Sequence, residues 1–332
     1  MNNQELKIGA SYSTASSLEL LNNVVSQYKI SNPLSCEFWA RGLNDTYKVS
    51  TDNGNFALRV YRKNWRTQSS IEFELDVLQY LQQKGANVAY PIERKEGGYI
   101  TNIVAPEGMR QVILTKYAEG SVLNYENPEN AAAYGRAAAQ IHVLSSDFES
   151  KHHRYKLNLD HLITEPIAVI QPYLSHRQND WEFLNKFADA LSKKVMTVSP
   201  EELDYGFCHG DHHGFNAHEY EGKITFFDFD CCGFGLRAYD IATFKWSSML
   251  GKKENELWPK FLEGYKSLRK ISALNLSLVD SFVAIRNIWF LALQVGNVND
   301  FAKGWINEAY IDSHIKFLKE ASRKIDAKDC RG

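Results

Sequence analysis

The chain has 332 residues, and its composition of 44% apolar, 13% aromatic and 23% charged residues is that of an ordinary globular protein. Its formal net charge of -2 gives no electrostatic case for binding nucleic acid or an anionic membrane surface. The length is sufficient for two domains or for one large domain.

Cysteine usage and the lack of long apolar runs predict a cytoplasmic protein. The five cysteines are odd in number and form no CxxC pair, and adjacent Cys231 and Cys232 could hardly bridge each other without strain. This pattern indicates a reducing compartment. No apolar run approaches the length of a membrane span, and residues 1–5 lack the apolar region of a signal peptide. The remaining cysteines are Cys36, Cys208 and Cys330.

The first elements along the chain are a helix and three strands. Apolar residues recur at helical spacing from Leu18 to Tyr28, which predicts a helix that covers the elements after it. The helix positions are Leu18, Leu21, Val24, Val25 and Tyr28. Three β-prone runs come next, at residues 35–41, 46–51 and 56–61. The turns between them are so short that the strands must pair as antiparallel hairpins.

A second helix and further strands complete an N-terminal lobe. Ser69 and Ser70 open an amphipathic helix over residues 71–83, which ends at Lys84-Gly85. Strands are predicted at residues 92–95, 98–104 and 111–117. This order describes an antiparallel sheet with one helix packed on it, so the fold class is α+β.

A change in composition after Tyr117 predicts a domain boundary. Residues 118–121 read as a linker, and the chain beyond them is mainly helical. We therefore predict an N-terminal lobe over residues 1–117 and a helical lobe over residues 118–332. The helix candidates are residues 131–143, 183–196, 257–268, 274–295 and 305–325.

The most informative stretch is a strand, a polar loop, a short hairpin and a second strand that ends in acids. Strands are predicted at residues 205–208, 217–220 and 223–228, with Asp211 and Asn216 in the loop and Asp228 after the last strand. Polar groups placed just beyond buried strands are held by a rigid scaffold. One carboxylate can orient a hydroxyl nucleophile, while an amide oxygen and a second carboxylate can hold Mg²⁺ against nucleotide phosphates. The arrangement therefore indicates phosphoryl transfer.

These residues resemble the aminoglycoside phosphotransferase and choline kinase-like family, a group that also includes one type of bacterial homoserine kinase and bacterial stress-response kinases. The resemblance is carried by His209-Gly-Asp211-x-x-x-x-Asn216, by Phe227-Asp228-Phe229-Asp230 and by Gly235-x-x-x-Tyr239-Asp240-Ile241-Ala242. Weaker landmarks extend back to about Gly42, whereas the last ninety or so residues are not diagnostic. These landmarks are residues 56–61, 74–81, 88–92, 114–117 and 134–142.

The resemblance implies a two-lobed protein-kinase-like fold, with an antiparallel β N-lobe carrying one helix and a larger, mostly helical C-lobe. It implies that Asp211 is the catalytic base and that Asn216 and Asp228 hold Mg²⁺, with Asp230 as a second metal or substrate contact. His209 would brace the loop. Asp240 would either cap a helix over residues 242–249 or pair near the loop.

The same resemblance assigns ATP-binding roles in the N-terminal lobe. Arg59 occupies the position of the family's strand-three lysine, and an arginine there keeps the charge but is longer. Glu74 is its expected helix partner, with Glu72 as the alternative. The turn over residues 41–46 would cover the phosphates through backbone N–H groups and two side chains, and the hinge at residues 114–117 would contact the nucleotide. The four further residues assigned to the nucleotide are Asn44, Thr46, Thr115 and Tyr117.

His212 and His213 permit a different interpretation. With His209, Asp211 and the nearby cysteines they form a cluster that could hold zinc in a metallohydrolase. The other histidines show no ligand spacing, so we expect His212 and His213 to lie on the loop surface, facing substrate or solvent. Among the C-terminal aromatic residues, Trp246 and Trp289 are candidates for lining an acceptor pocket.

Gly210 and the short segment after Asp228 point to a small acceptor. Gly210 stands where regulated protein kinases carry the arginine that reads a phosphorylated activation loop, and only eleven residues separate Asp228 from Asp240. We therefore expect an ATP- and Mg²⁺-dependent enzyme, monomer or homodimer, that phosphorylates a small hydroxylated molecule. A serine/threonine protein kinase of the stress-response type is the alternative within this fold. A nucleotide-binding pseudoenzyme is the alternative that Arg59 motivates.

Overall fold

The fold is taken from a computed structural model that describes residues 8–123, 127–298 and 303–329. The chain divides into two compact units. The first contains residues up to 119 together with 149–153 and 225–227, and the second contains 120–148, 154–224 and the chain from 228 onward. No pattern in the sequence predicts that residues 149–153 and 225–227 belong to the first unit.

The strands of the described chain are β1 Pro33–Arg41, β2 Asp45–Thr51, β3 Gly54–Val60, β4 Thr101–Ala105, β5 Gly108–Lys116, β6 Ser121–Val122, β7 Lys156–Leu157, β8 Tyr205–Cys208, β9 Ala217–Tyr220, β10 Lys223–Phe226 and β11 Gly233–Leu236. The first unit is built on a five-stranded antiparallel sheet with the strand order β1-β2-β3-β5-β4. Alternation of buried and half-buried residues along β2 and β3 places one face of the sheet on the core. The other strands form two small sheets, ordered β10-β9-β6 and β7-β11-β8.

Helices dominate the second unit. Helices α1 Ser17–Glu19 and α2 Gln68–Gln83 belong to the first unit. The helices of the second unit are α3 Pro128–Leu144, α4 Glu165–Ile170, α5 Gln178–Met196, α6 Arg237–Leu250, α7 Glu254–Lys266, α8 Ala273–Ser277, α9 Val279–Gly296 and α10 Glu308–Asp329. There α3 packs on α7, and α9 packs on α4, α6 and α10. Short π-helical turns lie at Leu20–Val24 and Asp160–Thr164, and 3₁₀ turns at Val25–Gln27, Gln171–Leu174, Pro200–Glu202, Gly214–Asn216, Phe229–Cys231 and Lys303–Trp305.

The N-terminal helical segment covers the sheet, as the spacing predicts. Val24, Val25 and Tyr28 are buried in the same core cluster as Leu58 of β3. Leu18 is the exception, because 66% of it is exposed. The segment changes from α to π to 3₁₀ geometry within eleven residues, 17–27. Leu20 of this segment is buried, whereas Leu18 is not.

Two details of the sequence prediction for the first unit and one for the second are wrong. Residues 92–95 form only an isolated bridge at Arg94 and no strand. Thr67, and not Ser69 or Ser70, caps α2 by accepting the N–H of Ser70. In the second unit, the helix predicted over residues 274–295 is divided at Leu278 into α8 and α9.

Among residues 8–123, 127–298 and 303–329, no helix combines the length and the apolar character that a membrane crossing requires. Four cysteines are buried free thiols, whereas Cys330 lies outside the described residues.

Candidate active site

Two segments of the second unit that carry the predicted catalytic residues emerge at the same edge of a small sheet. Strands β8 and β11 pair antiparallel, with Cys208 opposite Gly233. The loop after β8 carries Asp211 and Asn216, and the turn that precedes β11 carries Asp228. Because the end of one strand lies beside the start of the other, these segments are neighbours.

Asp211 is held from two sides. The Nδ2 group of Asn216 donates to Asp211 Oδ2 at 2.9 Å and to its backbone carbonyl at 3.0 Å. Arg286 donates to Oδ1 from the opposite direction, and His213 Nε2 lies 3.3 Å from the same oxygen. Burial alone would raise the pKa of Asp211, but the charges of His213 and Arg286 hold that pKa well below its usual range. The carboxylate is ionised, and 20% of the side chain is accessible.

The loop itself is braced by Asp240, which lies in the first turn of α6. Its Oδ2 accepts the backbone N–H of His209 at 2.7 Å, and its Oδ1 accepts that of Gly210 at 2.8 Å. His142 of α3 lies 3.0 Å from Oδ2 through Nε2 and 2.8 Å from the hydroxyl of Tyr265 through Nδ1. Asp240 therefore pairs with the loop. The alternative expectation, a cap for a helix over residues 242–249, is wrong because α6 already begins at Arg237.

His212 is buried, so the expectation that it lies on the loop surface is wrong. Its ring stacks on that of His209 with centroids 5.2 Å apart and lies 5.3 Å from the ring of Tyr134. His213 is half-buried beside Asp211 and accepts the N–H of Phe215. Alternating directions along the loop explain the difference, since His212 points into the core and His213 points out.

His142, His212 and Asp240 bring one possible metal-ligand atom each to within 4.8 Å of one another. This is the grouping that the zinc interpretation needs, although it recruits His142, whose sequence position gave no ligand spacing. Asp240, however, already accepts two backbone N–H groups and faces His142 at hydrogen-bond distance. These three contacts account for the placement of Asp240, and we assign Asp240 and His142 as a brace of the loop.

Because three histidines are buried, we expect the fold to become less stable as the pH is lowered from near neutrality. Burial lowers the pKa of His142, lowers that of His212 strongly and lowers that of His314 to about 4. Below about pH 6.5 an unfolded chain binds protons at these side chains while the folded chain does not. The free energy of unfolding therefore decreases as the pH is lowered. Between about pH 7.5 and about pH 5 we expect His314 to contribute a loss of about 2 kcal/mol, and His142 and His212 to increase that loss. Urea unfolding measures it, and a free energy independent of pH over that interval would contradict the assignment.

The turn after β10 has an unusual backbone. Asp228 adopts the left-handed conformation with a φ of 61°, which is rare for a residue with a side chain and is often found at functional sites. Asp230 is buried two residues later, and its carbonyl, like that of Cys232, accepts a hydrogen bond from Arg154. Metal binding by Asp228 and Asp230 stays a prediction.

Gly210 connects the loop to this turn by close backbone packing. Its φ is +80°, and a Cβ atom at this position would collide with the carbonyl oxygen of Cys231. Only glycine meets both conditions without distortion. Both the limited space beside Cys231 and the left-handed backbone conformation therefore require glycine between His209 and Asp211.

Arg286 is the functional candidate that the sequence analysis missed. It is buried in α9, and its guanidinium lies over the rings of Trp246, Trp289 and Phe290, with 4.7 Å to the Trp289 centroid. The two tryptophans are buried packing partners of an internal cation, which contradicts the idea that they line an acceptor pocket. A signal was present, because Arg286 is the single charged residue in the apolar run 281–293.

In the first unit, Arg59 of β3 and Glu74 of α2 form a nearly buried ion pair, with 2.6 Å between Nη1 and Oε1. Tyr61 donates to the other carboxylate oxygen at 2.8 Å, so Glu74 is fully engaged. Thr46 lies opposite Arg59 in the register of β2 and β3. The sequence-based choice of Glu74 over Glu72 agrees with this pairing, because Glu72 lies 2.8 Å from His152.

The predicted phosphate-covering turn is anchored from beneath. Asp45 is fully buried against Arg110, and Asn44 accepts the backbone N–H of Arg62 through its side-chain oxygen at 3.1 Å. The Asn44 oxygen thus shapes the turn. Thr115 and Tyr117 lie at the end of β5, where each contacts β3: Thr115 donates to Ala57, and Tyr117 to Asn55 through its backbone N–H. Contacts of these residues with a nucleotide stay a prediction.

Comparison with known proteins places this geometry in context. Residues 36–270 match the model of the phosphotransferase enzyme family. An uncharacterised protein of Synechocystis sp. is 34% identical over 93% of this chain and 86% of its own length. A homoserine kinase of Neisseria meningitidis serogroup B is 26% identical over 78% of this chain and 82% of its own length.

Solved structures show the same fold. The microcompartment-associated aminopropanol kinase superposes with a TM-score of 0.74 at 21% identity, over 92% of this chain and 95% of that one. Amicoumacin kinase in complex with AMP-PNP, Ca²⁺ and Ami gives a TM-score of 0.71 at 20% identity, over 92% and 91% of the two chains. The α+β, kinase-like fold expected from the sequence is thereby confirmed.

Proposed function

The chain belongs to the phosphotransferase enzyme family, and from that premise we propose that it transfers the γ-phosphate of ATP, with Mg²⁺, to a hydroxyl group of a small acceptor. The acceptor would be a metabolite or an antibiotic-like molecule of the amino alcohol, hydroxy-amino acid or aminoglycoside class. We propose the cytoplasm as the site of action and a monomer or homodimer as the active form.

The main observation that supports this proposal is the accessible, ionised carboxylate of Asp211, which lies between Asn216 and Arg286. A carboxylate fixed in this way can accept the hydrogen of an acceptor hydroxyl and aim its oxygen for in-line attack. Proton transfer in phosphoryl transfer is a small part of the rate enhancement compared with positioning and charge. Asp211 would therefore orient the nucleophile and accept its proton.

The metal would be held by Asn216 and Asp228, with Asp230 as a second contact. Asn216 uses its Nδ2 group on Asp211, which leaves its carbonyl oxygen as the ligand atom, and carboxylate and amide oxygens are the donors that Mg²⁺ prefers. Bound with the nucleotide, Mg²⁺ would neutralise charge on the phosphates. In the first unit Arg59, oriented by Glu74, would bind phosphate oxygens, and Asn44, Thr46, Thr115 and Tyr117 would complete the nucleotide contacts.

The names of the related proteins support the acceptor class. They include a homoserine kinase, an aminopropanol kinase and an amicoumacin kinase, and the first two names specify a hydroxy-amino acid and an amino alcohol. A small molecule with a hydroxyl group and an amino group is common to the first two names. We give such molecules priority in the test.

The test is a screen for ADP release from Mg-ATP by purified protein, against amino alcohols, hydroxy-amino acids, sugars, aminoglycosides and a protein substrate. We expect one small hydroxylated acceptor to stimulate release, EDTA to abolish it and added Mg²⁺ to restore it. Stimulation by the protein substrate alone would favour a protein kinase. Calorimetric ATP binding with no turnover on any acceptor would favour the pseudoenzyme, and stoichiometric zinc without ATP affinity the metallohydrolase.

Replacement of Arg59 by Met should raise the KM for ATP by about tenfold or more, because a charged contact with phosphate is lost. Arg59→Lys should retain most of the affinity, since the charge remains. The matched control is Arg66→Met, which removes a guanidinium that lies over the Trp65 ring in the same unit. Steady-state kinetics at saturating acceptor gives the result, and an unchanged KM in Arg59→Met would remove Arg59 from the nucleotide site.

A further inference from the structure

Arg286 lies outside the part of the chain that carries the family match, which ends at residue 270. It comes from α9, seventy-five residues after Asp211, and it reaches Asp211 from beyond both the loop after β8 and the turn after β10. The family motifs therefore give no role to it. Its contacts allow a role to be derived.

The guanidinium makes three directed contacts. One nitrogen, Nη2, donates to Asp211 Oδ1, and the other, Nη1, lies 3.2 Å from the carbonyl oxygen of Gly210 and 3.2 Å from the hydroxyl of Tyr239. A single planar group thus grips the side chain of Asp211 and the backbone of the residue before it. Because guanidinium has a rigid fork, these contacts fix the rotation of the carboxylate relative to the loop.

The cation in turn has little freedom of its own. Three aromatic rings surround it, at 4.7 Å, 5.1 Å and 5.9 Å from its central carbon. The nearer two belong to tryptophans that are themselves tied to other elements. Trp246 donates to Asn287 Oδ1, which also contacts His314 of α10, and Trp289 lies 3.4 Å from His161. The cage is therefore anchored beyond α9.

A purely structural role explains this arrangement poorly. A buried ion pair is costly to desolvate and is often replaceable by apolar residues without loss of stability. Here the pair is buried at the arginine and accessible at the aspartate, whose side chain is 20% exposed against 2% for the arginine. A charge held in the core to control an accessible carboxylate is the arrangement expected of a preorganised site.

We propose that Arg286 is the positioning residue for Asp211: fixed by its aromatic cage, it clamps the carboxylate and the Gly210 carbonyl so that the accessible face of Asp211 is aimed at the acceptor hydroxyl. Arg286 itself does not touch the acceptor, because it is buried. The proposal rests on the proposed phosphotransferase function. It assigns part of the catalytic geometry to a helix outside the motif-bearing region of the chain.

The test compares Arg286→Met and Arg286→Lys with the wild type, using the acceptor found in the ADP-release screen. We expect Arg286→Met to lower kcat by about 100-fold with the KM for ATP unchanged, since a misaimed group costs about that much. Arg286→Lys should retain an intermediate rate, since the charge remains. The matched control, Arg269→Met, removes an arginine paired with Asp204 and should leave kcat unchanged. An unchanged kcat in Arg286→Met would overturn the proposal.

Two further measurements keep the outcome decisive. If the wild type turns over no acceptor, the proposed function fails, and a crystal structure of Arg286→Met then decides the inference: Asp211 turned away from Asn216 supports it, and an unmoved carboxylate overturns it. If Arg286→Met does not fold, the double variant Arg286→Met/Asp211→Asn is prepared. Recovery of folding in the double variant supports the pairing of the two charges. If neither folds, the kcat and the Asp211 geometry of Arg286→Lys decide in the same way.

Discussion

Asp211→Asn should lower kcat by about 1,000-fold or more while leaving the KM for ATP within about threefold of the wild type. The substitution keeps the shape of the side chain and its contact with Asn216, but it removes the negative charge that we propose orients the acceptor hydroxyl and accepts its proton. Nucleotide binding should be largely retained because the Arg59–Glu74 pair is not altered. The measurement is steady-state ADP release with the acceptor from the screen.

Asp147→Asn is the matched control for this change. Asp147 is an exposed aspartate in the same unit, and its neutralisation should leave kcat unchanged. A thermal melt of both variants separates a catalytic effect from a folding effect, because Asp211→Asn also leaves the buried charge of Arg286 without its carboxylate partner. Turnover by Asp211→Asn at the wild-type rate would remove Asp211 from the proposed role.

Asp240→Ala should cause a large loss of stability, about 3 to 5 kcal/mol in the free energy of unfolding. The change leaves the backbone N–H groups of His209 and Gly210 and the ring of His142 without their buried acceptor. Leaving a buried donor without an acceptor costs the desolvation free energy of that donor, and the substitution leaves three donors in this state. Because the same groups define the start of the Asp211 loop, the remaining folded protein should also have a lower kcat.

The pH dependence of this variant adds a second test. Burial would raise the pKa of Asp240, but the hydrogen bond from His142 and the neighbouring histidines lower it to about 2. The carboxylate therefore contributes stability above its unfolded pKa near 4, and this contribution is lost as pH falls toward about 2. The variant should lack that loss. Asp189→Ala, which removes an exposed carboxylate paired with Lys193, should change the free energy by no more than about 0.5 kcal/mol and serves as the control.

Local patterns in the sequence predicted the loop that carries Asp211 and Asn216, and the family resemblance predicted the pairing of Arg59 with Glu74. Asp211 and Asn216 are five residues apart, and the strand-loop-hairpin pattern around them already specifies that they meet. Arg59 and Glu74 are fifteen residues apart, on a strand and on the helix after it, a connection with few alternative geometries. In both pairs the two residues are close in the sequence and lie on or beside regular elements, which is why the motif and the resemblance could be placed on them.

Contacts between residues far apart in the sequence could not be predicted from local patterns. Asp240 reaches His142 across ninety-eight residues, and Arg286 reaches Asp211 across seventy-five. No periodicity encodes which two helices will face each other. His212 was misassigned for a related reason: a histidine in a polar loop looks exposed, and its burial depends on Tyr134 of a distant helix. Residues 92–95 have the composition of a strand, but strand formation depends on a partner, which the sequence does not specify.

The packing of Gly210 against Cys231 has an evolutionary consequence. Protein kinases that are regulated by phosphorylation of a loop carry an arginine at this place between the histidine and the aspartate. In this chain an arginine introduced there would meet the carbonyl oxygen of Cys231 and a backbone conformation that favours glycine. The turn over residues 229–231 would have to be rebuilt before such an arginine could be accommodated. A substitution of Gly210 alone is therefore not sufficient to give this chain the arginine through which regulated protein kinases read a phosphorylated loop.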